Sequence, residues 1–344
     1  MMTVLIIGYW HSKYDKRVYR TVRALSKRAH VIYQYGAREK EIAYTEGNIT
    51  FVPIEFEEFH TKNAFVRYAF DKKVMDLIIN ASYDILYMHH FVTFMPIRSL
   101  KIARRKGKRI VLDFHEYIPE YFLMNIPKLF EALKNKIMRS VYFEMINLAD
   151  KLIFVSKECM NNSVRGVKKE VLLVPNFAEF GVQSPVKNKE IVLTGGDSRN
   201  INKEKTIISE LIRYGFTFKV IGMNLREQFE LEHRYIDFLP YHEMMREISK
   251  SAFSLISYDP HSGRENKNYT WSAPNKFYDS LAAGTPVIVR ESFTEMSRIV
   301  KELQVGVVIN PESTKQAVNR ILEAYESYDK IISNIERNKN KFVW

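Results

Sequence analysis

Three polar residues near the start of a predicted helix form the first candidate site. Pro274 opens this helix, because its fixed φ suits the first turn and its missing N–H is not needed there. The polar residues then follow along the helix: Asn275, Lys276 and Asp279. A helix start attracts anions, and a lysine there adds a point charge suited to phosphate. The sequence therefore predicts a phosphate-binding helix start, with an ordinary helix that ends at Gly284 as the alternative.

A second set of reactive side chains ends a predicted strand at 109–114. These side chains are Asp113, His115 and Glu116. Ligands of parallel sheets bind beyond the carboxyl ends of the strands, and histidine can share a proton near neutral pH. The preceding predicted strand is followed by His89 and His90. Metal binding by these histidines is the alternative, although no motif with ligand spacing accompanies them.

The loop after the first predicted strand is the third candidate. It contains Gly8, His11, Asp15 and Arg17. A glycine at the end of a strand lets the backbone approach a phosphate or a sugar closely. Asp15 has a second interpretation, because aspartate commonly caps the start of a helix.

An alternation of strands and helices must position these residues. The first half has predicted strands at 3–8, 30–35, 50–54, 83–88, 109–114, 151–155 and 170–174, with helices at 17–27, 63–80 and 93–106. After a linker at 175–188, further strands alternate with helices at 203–213, 243–250, 274–283, 293–302 and 313–325. This pattern predicts an α/β fold with two parallel, doubly wound sheets. Two such sheets in tandem are expected to face each other across a cleft.

Composition excludes several classes of protein. A chain of 344 residues can form two domains, and its single cysteine, Cys159, rules out an internal disulfide framework. Residues 1–180 hold 29 Lys and Arg against 19 Asp and Glu, whereas the rest is nearly neutral. A basic first half indicates an anionic partner, and no nucleic-acid-binding signature is present. An amphipathic basic helix predicted within 122–148 either packs on the core or docks on an anionic membrane.

The order Pro-Asn-Lys, a carboxylate three residues later and then Ala-Ala-Gly-Thr-Pro-Val-Ile resembles the donor-binding signature of family 4 retaining glycosyltransferases. The resemblance is to the Pro-Asn-Lys branch of that family. Asp15, Arg17 and Val18 are similar to its Asp-x-Arg-Val element, and 113–116 to its Asp-x-His-Glu element, whose histidine contacts the transferred sugar. The resemblance implies the GT-B fold and a nucleotide-sugar substrate.

The resemblance also implies roles for single residues. The donor side would be formed by one loop glycine, two cations and four further residues: Gly8, Arg199, Lys205, Tyr258, Asn275, Lys276 and Asp279. Lys203 is an alternative to Lys205. The acceptor side would be formed by His11, Asp15, Arg17, His89 and His90, with Asp113, His115 and Glu116 as catalytic residues. The first of the two glutamates usual in the wider family falls on Trp271, which leaves open how the sugar is held.

The resulting hypothesis is a hexosyl-type glycosyltransferase that needs neither metal nor cofactor. It transfers a sugar from a UDP- or GDP-sugar to a lipid-linked or polysaccharide acceptor with retention. We expect a cytoplasmic location, with peripheral contact to the inner face of the membrane. A nucleotide-sugar epimerase and a non-catalytic partner subunit are the alternatives.

The family pattern also predicts the domain boundaries. Residues 1–178 would be the acceptor-side domain, 179–326 the donor domain, and 327–344 a helix that crosses back to the first domain. Relatives continue beyond the position of Trp344, which leaves open whether the chain is truncated there.

Overall fold

The structure is a computed structural model that describes residues 1–55, 64–89, 96–121, 127–184, 186–195, 201–222, 231–257 and 267–344. Within these ranges the chain divides into two compact units. The first unit comprises Met1–Val155 and Cys159–Val174, and the second comprises Ser156–Glu158 and Pro175–Trp344. The main division lies at 174–175, where the predicted linker begins.

The first unit is built on a twisted sheet of parallel strands. Its strands are β1 Thr3–Ile7, β2 His30–Ala37, β3 Tyr44–Glu46, β4 Ile49–Glu55, β5 Ile85–His89, β6 Arg109–Phe114, β7 Lys151–Phe154 and β8 Glu170–Leu173. In the described ranges the order across the sheet is β3-β4-β2-β1-β5-β6-β7-β8. All neighbours pair in parallel except β3, which is antiparallel to β4 and was not predicted.

The helices of this half of the chain are α1 Lys16–Ser26, α2 Ala64–Asn80, α3 Pro96–Arg105, α4 Ile118–Tyr121, α5 Lys128–Leu148 and α6 Lys157–Ser163. α1 begins where it does because Asp15 caps it. The Asp15 Oδ1 atom accepts hydrogen bonds of 3.1 Å from the backbone N–H groups of Arg17 and Val18. Val18 and Val22 of α1 then pack against Val4 and Ile6 of β1 in one buried cluster.

The second unit repeats the architecture. Its strands are β9 Asn188–Thr194, β10 Thr217–Ile221, β11 Arg234–Ile236, β12 Ser251–Ile256, β13 Val287–Arg290 and β14 Gly306–Ile309. They pair in parallel, and the described strands lie in the order β11-β10-β9-β12-β13-β14. Neighbouring residues of one strand point to opposite faces. Val192 accordingly belongs to one core cluster, and Ile191 and Leu193 to the other.

The helices of the second unit are α7 Lys205–Arg213, α8 Tyr241–Ser249, α9 Lys267–Thr270, α10 Asn275–Ala282, α11 Thr294–Leu303, α12 Thr314–Glu326 and α13 Tyr328–Arg337. α10 begins at Asn275, so Pro274 is its N-cap residue and lies just before the first turn, in which it was predicted. Its end is set by Gly284, whose φ of 65° lies in the left-handed region that glycine adopts at low cost.

The C-terminal segment packs within the second unit. Ile331 and Ile335 of α13 and the following Phe342 are part of its core cluster. Ala178 donates a backbone hydrogen bond to the Phe342 carbonyl and accepts one from Trp344. The predicted return of this helix to the first domain stays a prediction.

The architecture confirms the predicted α/β fold with two parallel, doubly wound sheets. The helices α4, α6 and α9 were not predicted, because each is too short to produce a helical periodicity in the sequence. No helix in the described ranges is both long and apolar enough to cross a membrane.

Candidate active site

The candidate residues of the first unit gather where the strand order reverses. From β1 the chain proceeds to β2 and β4 on one side of the sheet, whereas β5 to β8 extend to the other side. β1 and β5 are direct neighbours, so their carboxyl ends form a topological switch point. Ligands of open α/β sheets bind at such points. The loop after β1, the end of β5 and the end of β6 carry the residues described next.

The loop after β1 is held in a fixed conformation. Tyr9 has a φ of 58°, in the left-handed region that is costly for a residue with a side chain. The buried Gln34 side chain accepts a 2.8 Å hydrogen bond from the Tyr9 backbone N–H and donates one of 2.8 Å to its carbonyl. The Tyr9 hydroxyl lies 2.5 Å from Asp71 Oδ1. A Cβ at Gly8 would lie 2.8 Å from the Gln34 carbonyl oxygen, so a glycine is required there.

His11 takes one tautomer because of this loop. Its Nδ1 atom lies 2.7 Å from the carbonyl oxygen of Gly8, which can only accept a hydrogen bond. The neutral imidazole therefore carries its hydrogen on Nδ1 and presents Nε2 as an acceptor. The ring of His11 lies 5.1 Å from the ring of His115, edge to face.

Asp113 is the centre of a buried network. Its side chain is 1% exposed, and its Oδ1 atom forms a 2.6 Å ion pair with Arg17, which also donates a 2.7 Å hydrogen bond to the Val174 carbonyl. The other oxygen accepts a 3.0 Å hydrogen bond from the Tyr87 hydroxyl. A buried carboxylate of this kind is stable only with such partners. Asp113 and Arg17 are therefore buried residues that support the site, and they do not form its surface.

His89 belongs to the same network. It is fully buried, its Nδ1 atom lies 3.3 Å from Asp113 Oδ2, and it lies 3.1 Å from Nε2 of His115. Burial, opposed by Asp113 and reinforced by Arg17, lowers the pKa of His89 to about 3. His89 is therefore neutral at physiological pH, and its burial leaves no surface for an acceptor to contact.

His115 and Glu116 follow β6 directly. The His115 side chain is 12% exposed, and Glu116 is half-buried. His89, Asp113 and His115 offer nitrogen and oxygen atoms within 4.8 Å of one another, a composition that a metal ion could use. Arg17 places a positive charge on the same carboxylate, which disfavours a second cation. The absence of a metal requirement stays a prediction.

The second unit has its own switch point, between β9 and β12. The chain proceeds from β9 to β10 and β11 on one side, and from β12 to β13 and β14 on the other. Because a helix after a parallel strand begins at the carboxyl edge, α7 and α10 both start beside this point. α7 starts at Lys205, and α10 starts at Asn275 and Lys276. Two helix starts and two lysines are thus brought to one edge of the sheet.

Asp279 lies one turn into α10 and is 3% exposed. Its Oδ1 atom accepts a 2.7 Å hydrogen bond from the hydroxyl of Tyr241, the first residue of α8. Burial and the neighbouring Asp279 raise the pKa of Tyr241, so the phenol stays protonated and donates this bond. This partner could not be predicted from the sequence, because the two residues are 38 positions apart in the chain.

A buried ion pair lies under the same edge and was also not predicted. Arg290, the last residue of β13, binds the carboxylate of Glu204 through Nε and Nη2, the latter at 2.7 Å. The Ser257 hydroxyl, directly after β12, donates a 2.8 Å hydrogen bond to Glu204 and lies 3.0 Å from Arg290. Glu204 immediately precedes α7, so this network fixes the start of the helix that carries Lys205.

Three predicted site residues lie outside the described residues: His90, Arg199 and Tyr258. Of the others, the first unit brings together Gly8, His11, Asp15, Arg17, His89, Asp113, His115 and Glu116. The second unit places Lys205, Asn275, Lys276 and Asp279 at its switch point. Gln34, Tyr87, Tyr241 and Arg290 are supporting residues that the sequence did not reveal.

Comparison with known proteins finds a matching glycosyltransferase family model for each half of the chain. Residues 15–179 match the model of the Glycosyltransferase Family 4 family, and residues 198–342 match that of the Glucosyltransferase 3-like, C-terminal domain family. No curated protein matches the chain significantly.

Several solved structures share the fold over nearly the whole chain. The trehalose-6-phosphate structure from E. coli bound with UDP-2-fluoro glucose is 12% identical, with a TM-score of 0.63 and coverage of 99% of this chain and 98% of that one. Anabaena HepE in complex with UDP is 11% identical, with a TM-score of 0.62 and coverage of 99% and 95%. The apo lipopolysaccharide outer core galactosyltransferase WaaB is 14% identical, with a TM-score of 0.63 and coverage of 99% and 96%.

At these identities the solved structures establish the fold, and the two family matches establish the class of enzyme. Together with the switch-point residues of both units, they identify the chain as a family 4-like, nucleotide-sugar-dependent glycosyltransferase with the GT-B fold.

Proposed function

We propose that the protein transfers a hexose from a UDP-sugar to a hydroxyl group, with retention of configuration, during assembly of a polysaccharide or glycolipid. The observation that carries this proposal is the convergence of two helix starts with Lys205 and Lys276 at the second switch point. UDP in two of the similar structures supports the choice of nucleotide. A lipopolysaccharide galactosyltransferase among them supports the choice of acceptor class.

The second unit would bind the donor. The backbone N–H groups at the starts of α7 and α10 and the two lysine ammonium groups would bind the diphosphate, whose charge they neutralise. Asp279, oriented by Tyr241, would accept hydrogen bonds from ribose hydroxyls. As the bond between the sugar and the diphosphate breaks, the same cations stabilise the negative charge that develops on the leaving phosphate. Catalysis would consist mainly of positioning and this electrostatic stabilisation.

The first unit would bind the acceptor and orient the reacting sugar. His11 presents an acceptor nitrogen and lies beside His115. The departing phosphate would take the proton of the acceptor hydroxyl, as the family resemblance implies. Exposed apolar and basic residues of α5 would hold this unit at the inner face of an anionic membrane, where a lipid-linked acceptor is available.

Calorimetric titration with UDP, GDP and ADP tests the donor site. We expect UDP to bind most tightly. Lys276→Ala should weaken its binding by about 1.5–3 kcal/mol, the range for hydrogen bonds to charged groups. Lys301→Ala, which removes an exposed lysine of α11, is the matched control and should bind UDP normally. Equal affinity of wild type and Lys276→Ala would remove the central claim of the proposal.

Product analysis separates the proposed reaction from its alternatives. With a UDP-hexose and an acceptor glycan, ¹H NMR should show a new glycosidic bond with the donor's anomeric configuration. A new nucleotide-sugar formed from the donor alone would indicate an epimerase. Tight UDP binding without turnover on any acceptor would indicate a non-catalytic subunit.

A further inference from the structure

The ammonium group of Lys13 lies among four aromatic rings. Its Nζ atom lies over their faces at centroid distances of 4.9 Å for Tyr44, 5.2 Å for Phe51, 5.2 Å for Tyr14 and 5.8 Å for Tyr35. The negative face of an aromatic ring attracts a cation. A hydrogen bond to Tyr44, opposed by burial and reinforced by Tyr14, raises the pKa of Lys13 above its ordinary value. The side chain is therefore charged at physiological pH, and we call Lys13 and these four rings the lysine cage.

Three rings of the lysine cage come from neighbouring strands at one end of the first sheet. Tyr35 lies on β2, Tyr44 on β3 and Phe51 on β4. The rings of Tyr44 and Phe51 stack, with 4.8 Å between their centroids and an angle of 12° between their planes. β3 is a short edge strand, and none of its three residues is buried. This strand thus adds a ring to the lysine cage although it adds nothing to the buried core.

The lysine cage supports the half of the loop after β1 that has less support from the core. The first half is held by β2, because the Gln34 side chain bonds both backbone groups of Tyr9. In the second half Ser12 is exposed, and Tyr14 is 65% exposed. Between them, the side chain of Lys13 reaches the strands β2, β3 and β4. We therefore expect the lysine cage to fix the position of this half of the loop.

This half of the loop connects two candidate residues of the acceptor side. His11 precedes it, and Asp15 follows it and caps α1. The Tyr33 hydroxyl adds a 3.1 Å hydrogen bond to the Lys13 carbonyl, which ties the backbone to β2 as well. Because only three residues separate His11 from Asp15, a displacement of Lys13 would change the shape of the loop on both sides.

We propose that Lys13 is a positioning residue, whose cation is held by the rings of Tyr44, Phe51 and Tyr35 and thereby fixes the loop after β1 in the shape that binds the acceptor. The effect on the reaction rests on the proposed function, whereas the hold on the loop is a property of the protein alone. The two are tested separately below.

Hydrogen exchange of backbone amides, measured by mass spectrometry on the full chain, tests the hold on the loop. We expect the peptide that covers 9–15 to exchange about tenfold faster in Lys13→Glu, because the ring faces repel a carboxylate. Tyr44→Leu should have a similar effect, because it removes one ring and leaves the loop sequence intact. Lys13→Arg should exchange like the wild type, since a guanidinium group also stacks on aromatic rings.

Lys27→Glu is the matched control, because it makes the same change of charge at an exposed lysine next to the end of α1. It should leave the exchange of the loop unchanged. Wild-type exchange of the loop in Lys13→Glu would overturn the proposal, and so would equally fast exchange in Lys13→Arg and Lys13→Glu.

Kinetics test the consequence for the reaction. We expect kcat/KM for the acceptor to fall about tenfold in Lys13→Glu and in Tyr44→Leu, with unchanged UDP affinity, because the second unit would bind UDP. The double variant should be no slower than Lys13→Glu alone, since both substitutions remove the same interaction. Wild-type kcat/KM in variants whose loop exchanges faster would show a merely structural role and overturn the proposal. If the wild type transfers no sugar, the proposed function fails, and the exchange data still decide whether the lysine cage holds the loop.

Discussion

At the scale of single residues, the Asp279 carboxylate depends on Tyr241, which lies at the start of a different helix. Without the 2.7 Å hydrogen bond from this phenol, the buried carboxylate would lose a described partner and its fixed orientation. We expect Tyr241→Phe to raise the dissociation constant of UDP about fivefold, which corresponds to the roughly 1 kcal/mol of a typical hydrogen bond. Calorimetry measures this change, with Tyr325→Phe as the control for loss of a hydroxyl. UDP affinity at the wild-type value in Tyr241→Phe would show that Tyr241 does not support the donor site.

Lys187 gives a residue-scale prediction about pH. Its ammonium group donates hydrogen bonds of 2.6 and 2.9 Å to the carbonyls of Ser249 and Gly284, and burial lowers its pKa from 10.5 to about 8. Between these two values the unfolded chain binds a proton that the folded chain does not bind. Lys187 therefore makes stability rise with pH from about 8 to 10.5, and below pH 8 its contribution is constant.

The thermal midpoint of unfolding, measured from pH 7 to 10.5, checks this prediction. Tyrosines titrate in the same range, so the difference between wild type and Lys187→Met isolates the lysine. The thermal midpoint of the wild type should rise relative to that of Lys187→Met as the pH rises. A difference that is independent of pH would contradict the lowered pKa of Lys187.

At the scale of elements, α5 agrees only in part with the prediction that this helix packs on the core. Its last turns pack on the core through Tyr142, Met145 and Ile146. Its first turns do not, because Leu129 is 84% exposed and Leu133 is 58% exposed. Apolar side chains on an exposed helix face indicate a binding surface. The core-facing interpretation therefore holds only for the C-terminal part of this helix.

We expect the first turns of α5 to bind anionic vesicles through exposed cations and apolar residues together. Each cation near an anionic surface contributes on the order of 1 kcal/mol, screened beyond roughly 8 Å. Replacement of Lys128, Lys136 and Arg139 by glutamine should therefore lower vesicle partitioning roughly 100-fold at low salt. Lys134 is left in place, because its ammonium group donates a hydrogen bond to the Pro119 carbonyl.

Sedimentation with vesicles of anionic and neutral lipid measures this binding. The matched control replaces three exposed lysines of the second unit by glutamine, which removes the same charge: Lys301, Lys315 and Lys330. An equal loss of vesicle binding in both triple variants would show that binding depends on net charge alone. Equal binding to anionic and neutral vesicles would show that the first unit does not dock on an anionic membrane, contrary to the proposed function.

At the scale of the whole molecule, we expect the lysines and the helix starts of the second unit to make a divalent cation unnecessary for binding the diphosphate. In the proposed function, Lys205, Lys276 and two helix starts would supply the positive charge that other enzymes obtain from a metal ion. We expect turnover to remain within twofold after treatment with EDTA, measured beside a metal-dependent glycosyltransferase as the control. A loss of activity that Mg²⁺ or Mn²⁺ restores would show that the two lysines do not neutralise the charge of the diphosphate.

The sequence by itself determined the helices and strands whose ends carry the candidate site residues. Apolar runs, Pro274 and Gly284 set local conformation through steric rules that act over a few residues, so β1 and α10 were predicted nearly to their bounds. The carboxyl ends of parallel strands then follow from the alternation of strands and helices. For this reason His11, His115 and Lys276 were predicted without a structure.

Only the tertiary structure decided which of these residues support others and which present chemistry. His89 and His115 look equivalent in the sequence, since each follows a predicted strand, but burial makes the first a neutral partner of Asp113 and leaves the second partly exposed. Tyr241 and Arg290 reach their carboxylate partners across the sheet edge, at separations of 38 and 86 residues. Hydrogen bonds and desolvation depend on distances in space, and strand order fixes these distances only once the chain has folded.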